Sequence, residues 1–254
     1  MKPGFVAAVI ASLGTMLLGA CAAGPSGTSG TSVTVARAAL VGGAPQIALQ
    51  ATEAILRTDP QNAEALQIKG DALTAMGQLG QAEWVYRAAL LRAPHLVGAQ
   101  IGLGRCLLAH DPAAAEVAFQ AAADRDPRNA VALNDLGVAR DLLRRHLDAQ
   151  QAYRLALAAD PDMIGAQVNL ALSLAMSGDV EDAERLMRPY GADANASRKL
   201  RHDLAAVLAM GGQRAEAARI LSADLGQRQV AQALADYAAA RDAHSGLQPP
   251  AILP

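Results

Sequence analysis

The sequence predicts an all-α fold, a right-handed superhelical solenoid of antiparallel helix pairs closed by a C-terminal capping helix. Composition is the first observation: 52% of the 254 residues are hydrophobic but only 3% are aromatic, and alanine is very common. Alanine has the highest helix propensity, whereas a β-sandwich would need more β-branched and aromatic residues. The second observation is a regular spacing of prolines, and the third is a set of small and aromatic residues that recurs between them.

The prolines mark the repeat length. Pro60, Pro94, Pro127 and Pro161 follow one another at intervals of 34, 33 and 34 residues, mostly in an Asp-Pro pair. A period near 34 is typical of the tetratricopeptide (TPR) repeat, in which each unit is one helix pair. A proline just past a helix stops it, because proline lacks the N–H and disfavours the α conformation of the residue before it.

Three full units align within this period, at 63–96, 97–129 and 130–163. Each places a glycine on its first helix, where the second helix approaches, and an aromatic ring on its second helix, where it fills the space between units. The glycines and rings are Gly70, Gly104 and Gly137, and Tyr86, Phe119 and Tyr153. The middle unit is one residue short at its turn, where His110-Asp111-Pro112 replaces the usual glycine.

Less regular units flank the three. Downstream, 164–191 and 197–225 fit the pattern, with Pro189 expected to cut one second helix short. Upstream, 33–62 is a degenerate first unit in which only the second helix, about 46–58, is clearly patterned. Val230, Leu234 and Tyr237 line one face of a closing helix, which covers the last apolar surface of the stack. The solenoid is therefore expected to span 33–244, followed by a disordered tail at 245–254.

The N-terminus reads as an export signal over residues 1–20, with Lys2 followed by a mostly apolar stretch too short for a membrane span. It ends in Leu18-Gly19-Ala20-Cys21, which resembles the lipobox of bacterial lipoproteins. The resemblance implies acylation of Cys21, with palmitate among the chains, and Ala22 after it implies the periplasmic face of the outer membrane. An ordinary secretory signal with a chance cysteine is the alternative. Residues 21–32 form a flexible tether, and Cys106 is interpreted as a buried small hydrophobe.

No pattern in the sequence indicates catalysis. The five histidines show no metal-ligand spacing, and no HExxH, P-loop, G-x-S-x-G or CxxC motif occurs. Gly102-Leu103-Gly104 falls on the small-residue position of a repeat rather than in a dinucleotide loop. The net charge of −2 argues against nucleic acid. We therefore expect no enzyme activity, metal, cofactor or small-molecule substrate.

We interpret two further groups of residues as structural rather than as binding sites. The basic group at Arg140, Arg144, Arg145 and His146 is interpreted as a solvated face at a helix end, with a partner contact as the alternative. Trp84 and Tyr86 are interpreted as packing residues rather than as a platform for a ligand.

The expected function is protein binding on the concave surface lined by the first helices. Apolar residues exposed on that surface indicate that something buries them, and an amphipathic helix or an extended segment of a partner protein is the expected ligand. The alternative is that neighbouring helices already cover them. The predicted contact residues are Gln67, Asp71, Ile101, Arg105, Leu108, Asn134, Val138, Asp141 and Leu172.

The whole arrangement resembles one family in particular. A lipobox, a short tether, four or five repeats and an ending with Arg198-Lys199-Leu200, Asp224-Leu225, Val230 and Leu234 are similar to the TadD-like TPR lipoproteins of the tight-adherence (Flp) pilus assembly system. The resemblance implies a scaffold at the outer membrane that helps the secretin channel to localise or assemble. The alternative is an adaptor for another envelope system, such as β-barrel assembly or polysaccharide export.

Overall fold

The structure is a computed structural model that describes residues 28–191 and 196–245, with side chains described for 33–190 and 196–240. The predicted signal, Cys21, the first part of the tether and residues 246–254 lie outside these ranges. Thirteen α-helices and no strand are found within them: α1 (Thr28–Val41), α2 (Pro45–Thr58), α3 (Ala63–Ala75), α4 (Leu79–Arg92), α5 (Val97–Leu107), α6 (Pro112–Arg125), α7 (Ala130–Leu142), α8 (His146–Ala159), α9 (Ile164–Ser177), α10 (Val180–Gly191), α11 (Arg198–Met210), α12 (Arg214–Leu221) and α13 (Gln227–Ser245).

The helices stack as antiparallel pairs into a TPR solenoid, as the sequence predicts. Each helix packs against the next along the chain, and each odd-numbered helix also contacts the next odd-numbered helix. Successive even-numbered helices make no such contact anywhere in the described ranges. The odd helices are therefore closer together and form the inner, concave side, while the even helices form the outer, convex side.

The predicted register of the three central units is confirmed by the fit between glycine and ring. A Cβ atom placed on Gly70, Gly104 or Gly137 would lie 2.5, 2.5 or 2.4 Å from a ring carbon of the aromatic residue of the same unit. Real Cβ atoms do not approach so closely, because the repulsion is too strong. The rings, at Tyr86, Phe119 and Tyr153, are fully buried. Each unit is thus held by a ring pressed directly onto helix backbone.

The close contact between glycine and ring predicts that a glycine-to-alanine substitution changes the free energy of unfolding by an amount that depends on its position. Gly137→Ala should lower the free energy of unfolding by about 1–3 kcal/mol, because the new methyl group overlaps the ring of Tyr153. Gly165→Ala is the matched control: it is also helical, but nothing lies within 4 Å of its added Cβ. There alanine should be neutral or stabilising by up to about 1 kcal/mol. Urea denaturation measures both, and equal effects would contradict the close approach.

The turns between units use two devices in alternation. Asn62 and Asn129 cap α3 and α7, each accepting a hydrogen bond from the N–H three residues on, at 2.9 and 3.0 Å. At α5 and α9 the cap positions carry no such side chain. There Gln100 and Gln167 instead donate their amides to the carbonyl of the proline six residues earlier, at 2.9 and 2.7 Å. Both devices fix the angle at which one unit follows the next.

Two local expectations differ from the structure. The first helix of the first unit, α1, begins at Thr28, so residues 28–32 of the expected tether are helical. Pro189 was expected to cut α10 short; the helix runs past the proline to Gly191, so Pro189 does not itself end it. A proline in the last turn removes a single backbone hydrogen bond, which a helix near its end tolerates. α10 still has 12 residues, against 14 in α4, α6 and α8.

The closing helix α13 is confirmed, but it does not simply extend the stack. It packs on α12 and α11 and crosses to α9, which makes it the one described helix to contact the helix four elements before it. Val230 and Leu234 on α13 are buried, and Tyr237 is partly buried against the same core. On α11, with which α13 is in contact, Ala206 and Ala209 are buried. The helix thus covers the C-terminal end of the concave side.

Among the described helices, none combines the length and the apolar character that crossing a bilayer requires.

Candidate functional site

The candidate site is the concave surface of α3, α5, α7 and α9, called the inner groove below. The structure places all nine predicted contact residues on these helices or, for Leu108, at the residue that caps α5. Arg105 is exposed and Asn134 is buried. The other seven are half-buried: Gln67, Asp71, Ile101, Leu108, Val138, Asp141 and Leu172.

The polar residues of the inner groove bond to one another across neighbouring units. Arg105 on α5 donates through Nε to the Asp135 carboxylate on α7, at 2.6 Å. Asn134 on α7 accepts from the Asn169 amide on α9, at 2.9 Å, and donates to Asp135 at 3.1 Å. Arg105 and Asn134 were predicted as partner contacts, but their polar atoms are bonded within the chain. They bridge successive odd helices and so fix the spacing of the groove.

Two carboxylates of the groove hold the buried tyrosines. The Tyr86 hydroxyl donates to Asp71 at 2.7 Å, and the Tyr153 hydroxyl donates to Asp141 at 2.9 Å. Burial, together with the nearby carboxylate, raises the pKa of both phenols, so both remain protonated donors. Burial also raises the pKa of the Asp71 carboxyl, against the hydrogen bond from Tyr86.

The middle unit shows that ring and groove residue are matched. Its ring, Phe119, has no hydroxyl, and the groove positions that correspond to the Asp71 and Asp141 positions of the neighbouring units carry Arg105 and Leu108. Neither side chain is an acceptor. A buried hydroxyl without a partner would be costly. The unit that lacks an acceptor in the groove therefore has phenylalanine at the ring position.

Asp141 is the most heavily bonded of these groups. Besides Tyr153, it accepts the Ser173 hydroxyl of α9 at 2.7 Å and lies 2.8 Å from Nδ1 of His146 at the start of α8. One carboxylate thus connects α7, α8 and α9. Because its acceptor capacity is used within the chain, Asp141 is better placed to shape the groove than to bind a partner directly.

Two arginines of the basic cluster, Arg140 and Arg145, belong to an ion-pair network. Arg140 and Arg145 both bind Glu116 on α6, with Nε of Arg140 at 3.0 Å and Nη1 of Arg145 at 2.8 Å. Arg145 also binds Asp148 at 2.8 Å. These bonds raise the pKa of the Arg145 guanidinium. Arg140 is therefore largely covered, contrary to the solvated-face interpretation, whereas Arg145 is paired but remains exposed. The acidic partner comes from α6, which the local sequence does not reveal.

Between α7 and α9 the inner groove deepens into a pocket of about 430 Å³, the inner pocket. Its apolar wall consists of Val138, Leu142, Leu172 and Met176. Leu142, the last residue of α7, is 54% exposed and was not among the predicted contact residues. The lining can bury one or two aliphatic side chains of a binding segment. The described ranges contain no group of three or more side chains suited to a metal ion.

Trp84 corrects another expectation. Tyr86 is 1% exposed, as predicted for a packing residue, but Trp84 is 71% exposed on the outer side of α4. Positions two apart on a helix differ by about 200° in direction. The two side chains therefore cannot both face the core.

Cys106, which was interpreted as a buried small hydrophobe, is buried in the structure.

The C-terminal segment around Asp224, one of the features that resemble the TadD-like lipoproteins, also stabilises the fold. Both oxygens of Asp224 accept Nη2 of Arg201, at 2.7 and 2.8 Å, which lowers the pKa of the carboxyl. Arg198 and His202 approach the same carboxylate at 3.7 and 3.5 Å. Asp224 thus joins the start of α11 to the turn before α13, while Leu225 packs against the adjoining core.

Comparisons with known proteins support the fold. A tetratricopeptide repeat protein from Parabacteroides merdae superposes with a TM-score of 0.63 at 16% identity, over 87% of this chain and 94% of that one. PilW, described as a widely conserved type IV pilus biogenesis factor, gives 0.62 at 21%, over 87% and 95%. PilF of Pseudomonas aeruginosa gives 0.63 at 14%, over 76% and 88%.

At these identities the likeness establishes a TPR fold. No family model matches the sequence, and no curated protein matches it.

Proposed function

We propose that this protein is a lipid-anchored TPR scaffold that binds partner proteins during assembly of a Flp/Tad-type pilus secretion apparatus, where it aids the secretin. The observation that carries the binding role is the inner groove, with its aliphatic pocket open to solvent and its polar groups already bonded within the chain. A surface of this kind gains free energy mainly by burying apolar side chains of a partner.

The pilus assignment has three supports of different kinds. The lipobox at Cys21 favours an envelope location, and the C-terminal pattern around Asp224 resembles the tight-adherence lipoproteins. The fold is similar to that of PilW, a type IV pilus biogenesis factor. An adaptor for β-barrel assembly or polysaccharide export is the second candidate, since anchor and repeats would serve it equally well.

The inner pocket suggests how a partner segment docks. An aliphatic side chain would enter between Val138 and Leu172, beside the exposed Leu142. Asn134 is an unsuitable probe of this contact, because it is buried and bonded to Asn169 and Asp135. Leu172 also packs against the core of the C-terminal units. Leu142 is the better probe, since changing it alters the groove without removing core packing.

The test is complementation of a deletion strain. Without the gene, surface Flp fibres should be lost and the amount of assembled outer-membrane secretin should fall. The wild-type gene should restore both, whereas Leu142→Asp should not, because a charge on the pocket wall opposes burial of an apolar side chain. Ile47→Asp is the matched control: Ile47 is 56% exposed against 54% for Leu142, but it lies on α2, outside the groove. It should complement fully.

The outcomes separate the parts of the proposal. Normal piliation in the deletion strain would reject the pilus role and favour another envelope system. Full complementation by Leu142→Asp, at wild-type protein levels, would place the binding surface elsewhere. Immunoblots of the variants measure those levels.

A further inference from the structure

Arg144, in the turn between α7 and α8, occupies a backbone position that other units give to glycine. Its φ is 60°, in the left-handed region that residues with a side chain disfavour. Two backbone hydrogen bonds close α7 at this point. The N–H of Arg144 donates to the Asp141 carbonyl and the N–H of Arg145 donates to the Arg140 carbonyl, both at 2.9 Å.

The same pair of bonds closes α3, α9 and α11, but there the left-handed residue is a glycine. These residues are Gly77, Gly178 and Gly212, with φ of 75°, 98° and 82°. A Cβ on any of them would have nothing within 4 Å, so the backbone conformation alone favours glycine. In the described ranges Arg144 is the one residue other than glycine with a positive φ. An unfavourable conformation kept at this position indicates that the side chain serves a purpose other than closing the helix.

The side chain of Arg144 belongs to the lining of the inner pocket, beside the aliphatic wall. The other charged residue of the described lining is Asp141, whose carboxylate already accepts hydrogen bonds from Tyr153 and Ser173. Arg144 is exposed, whereas the side chain of Asp141 is only 12% exposed. The pocket therefore presents a positive charge to solvent next to an apolar surface.

The helices around the pocket have the same charge character. The charged residues of α5, α7 and α9 are Arg105, Asp135, Arg140 and Asp141, since α9 has none. Asp135, like Asp141, is largely covered, with 11% of its side chain exposed. Arg140 is 18% exposed and is bound to Glu116. Arg105 is 50% exposed and binds Asp135 through Nε, which leaves its two terminal nitrogens for other acceptors.

We propose that Arg144 makes the inner pocket selective for an acidic segment of the partner. An aliphatic side chain of that segment enters the pocket, and an Asp or Glu side chain next to it pairs with the Arg144 guanidinium, which can donate two parallel hydrogen bonds to a carboxylate. Arg105 is placed to bind a second acidic side chain one unit away. This inference rests on the proposed function, because it names the chemistry of the segment that the inner groove binds.

A basic segment fits the inner pocket less well, because it would bring like charges together. The exposed acidic residues Asp179 and Glu181 of the next turn do not change this. They line a separate pocket with Gly211 and Gln213, and neither belongs to the lining of the inner pocket.

Selection from a phage-displayed library of random peptides tests the chemistry of the partner segment. The unacylated chain 22–254, which keeps every described residue, is immobilised. Peptides fused to the N-terminus of a coat protein have no free terminal carboxylate, so any acidic preference comes from side chains. The wild type should enrich peptides that carry Asp or Glu next to Leu, Ile or Val. Arg144→Gly should still enrich the aliphatic residues but lose the acidic ones, whereas Arg144→Lys should keep both.

Arg144→Gly also separates binding from folding, since glycine suits the left-handed backbone. Its melting temperature, measured by circular dichroism, should equal or exceed that of the wild type. For one selected peptide with an amidated C-terminus, fluorescence anisotropy should show a dissociation constant about two- to fivefold higher for Arg144→Gly. Added salt should weaken wild-type binding more than binding by this variant. Arg154→Gln, which changes an exposed arginine of the outer helix α8, is the matched control and should behave as the wild type.

Several results would overturn the inference. Enrichment of basic residues, no enrichment, or an acidic preference that persists in Arg144→Gly would each do so. A lower melting temperature of Arg144→Gly would show that the arginine is kept for the fold. Much tighter binding of the same peptide with a free C-terminus would assign Arg144 to a chain terminus instead.

The selection also distinguishes this inference from the proposed function. If the wild type enriches aliphatic peptides without an acidic preference, the acidic specificity is rejected and the binding role of the inner groove stands. If Leu142→Asp selects the same peptides as the wild type, the groove is not the binding surface, and that part of the proposed function fails with the inference.

Discussion

Tyr153→Ala should lower the free energy of unfolding by about 3–5 kcal/mol, since the ring is fully buried and its removal leaves a cavity that the backbone at Gly137 cannot fill. Phe119→Ala and Tyr86→Ala should have effects in the same range. Urea denaturation followed by circular dichroism at helical wavelengths measures all three. Neutral effects at the three rings would contradict the register of the central repeats.

The hydroxyl groups provide the control, because they separate the ring from its polar contact. Tyr153→Phe keeps the ring but leaves Asp141 with one donor fewer, so it should cost about 1–3 kcal/mol. Phe119→Tyr should also destabilise, because its unit has no acceptor at the corresponding groove positions. If Phe119→Tyr were neutral while Tyr153→Phe was costly, the matching of ring and groove residue would be wrong.

The central repeats could be predicted because their signals are local and repeated. A glycine on one helix and a ring on the next recur at a fixed distance along the chain, so three copies define the register. The same holds for the proline turns and for the closing helix at Val230 and Leu234. Those residues act within one unit or between adjacent units, and the repeat period makes such contacts visible in the sequence.

The groove chemistry could be predicted only in outline. The period placed Arg105, Asn134 and Asp141 on the concave side correctly. Their partners are on the next unit, 30 to 35 residues further along the chain: Asp135, Asn169 and Ser173. No local sequence pattern predicts which donor bonds to which acceptor over that separation. The ion pairs of Glu116 were missed for the same reason.

Trp84 was missed for a different reason. A large aromatic side chain in an aromatic-poor chain suggests packing, and the repeat consensus at Tyr86 drew the neighbouring ring into the same interpretation. The helix period alone contradicts this, since the two positions face nearly opposite directions. In the structure Tyr86 is buried and packs within the solenoid, whereas Trp84 is exposed on its outer side.

The two sides of the solenoid consequently have different chemistry. The inner groove combines internally bonded polar groups with an aliphatic pocket, whereas the outer side carries exposed apolar residues such as Trp84 and Leu91.

Cys21→Ser should abolish incorporation of radiolabelled palmitate completely and leave an uncleaved precursor, because the lipobox resemblance implies that this thiol accepts the lipid and that processing follows acylation. The sequence supplies its own control, since Cys106 is the second of two cysteines and is buried, out of reach of an acylating enzyme. Cys106→Ala should therefore be labelled like the wild type. Equal labelling of wild type and Cys21→Ser would show that Cys21 is not the acylated residue and would contradict the lipobox interpretation.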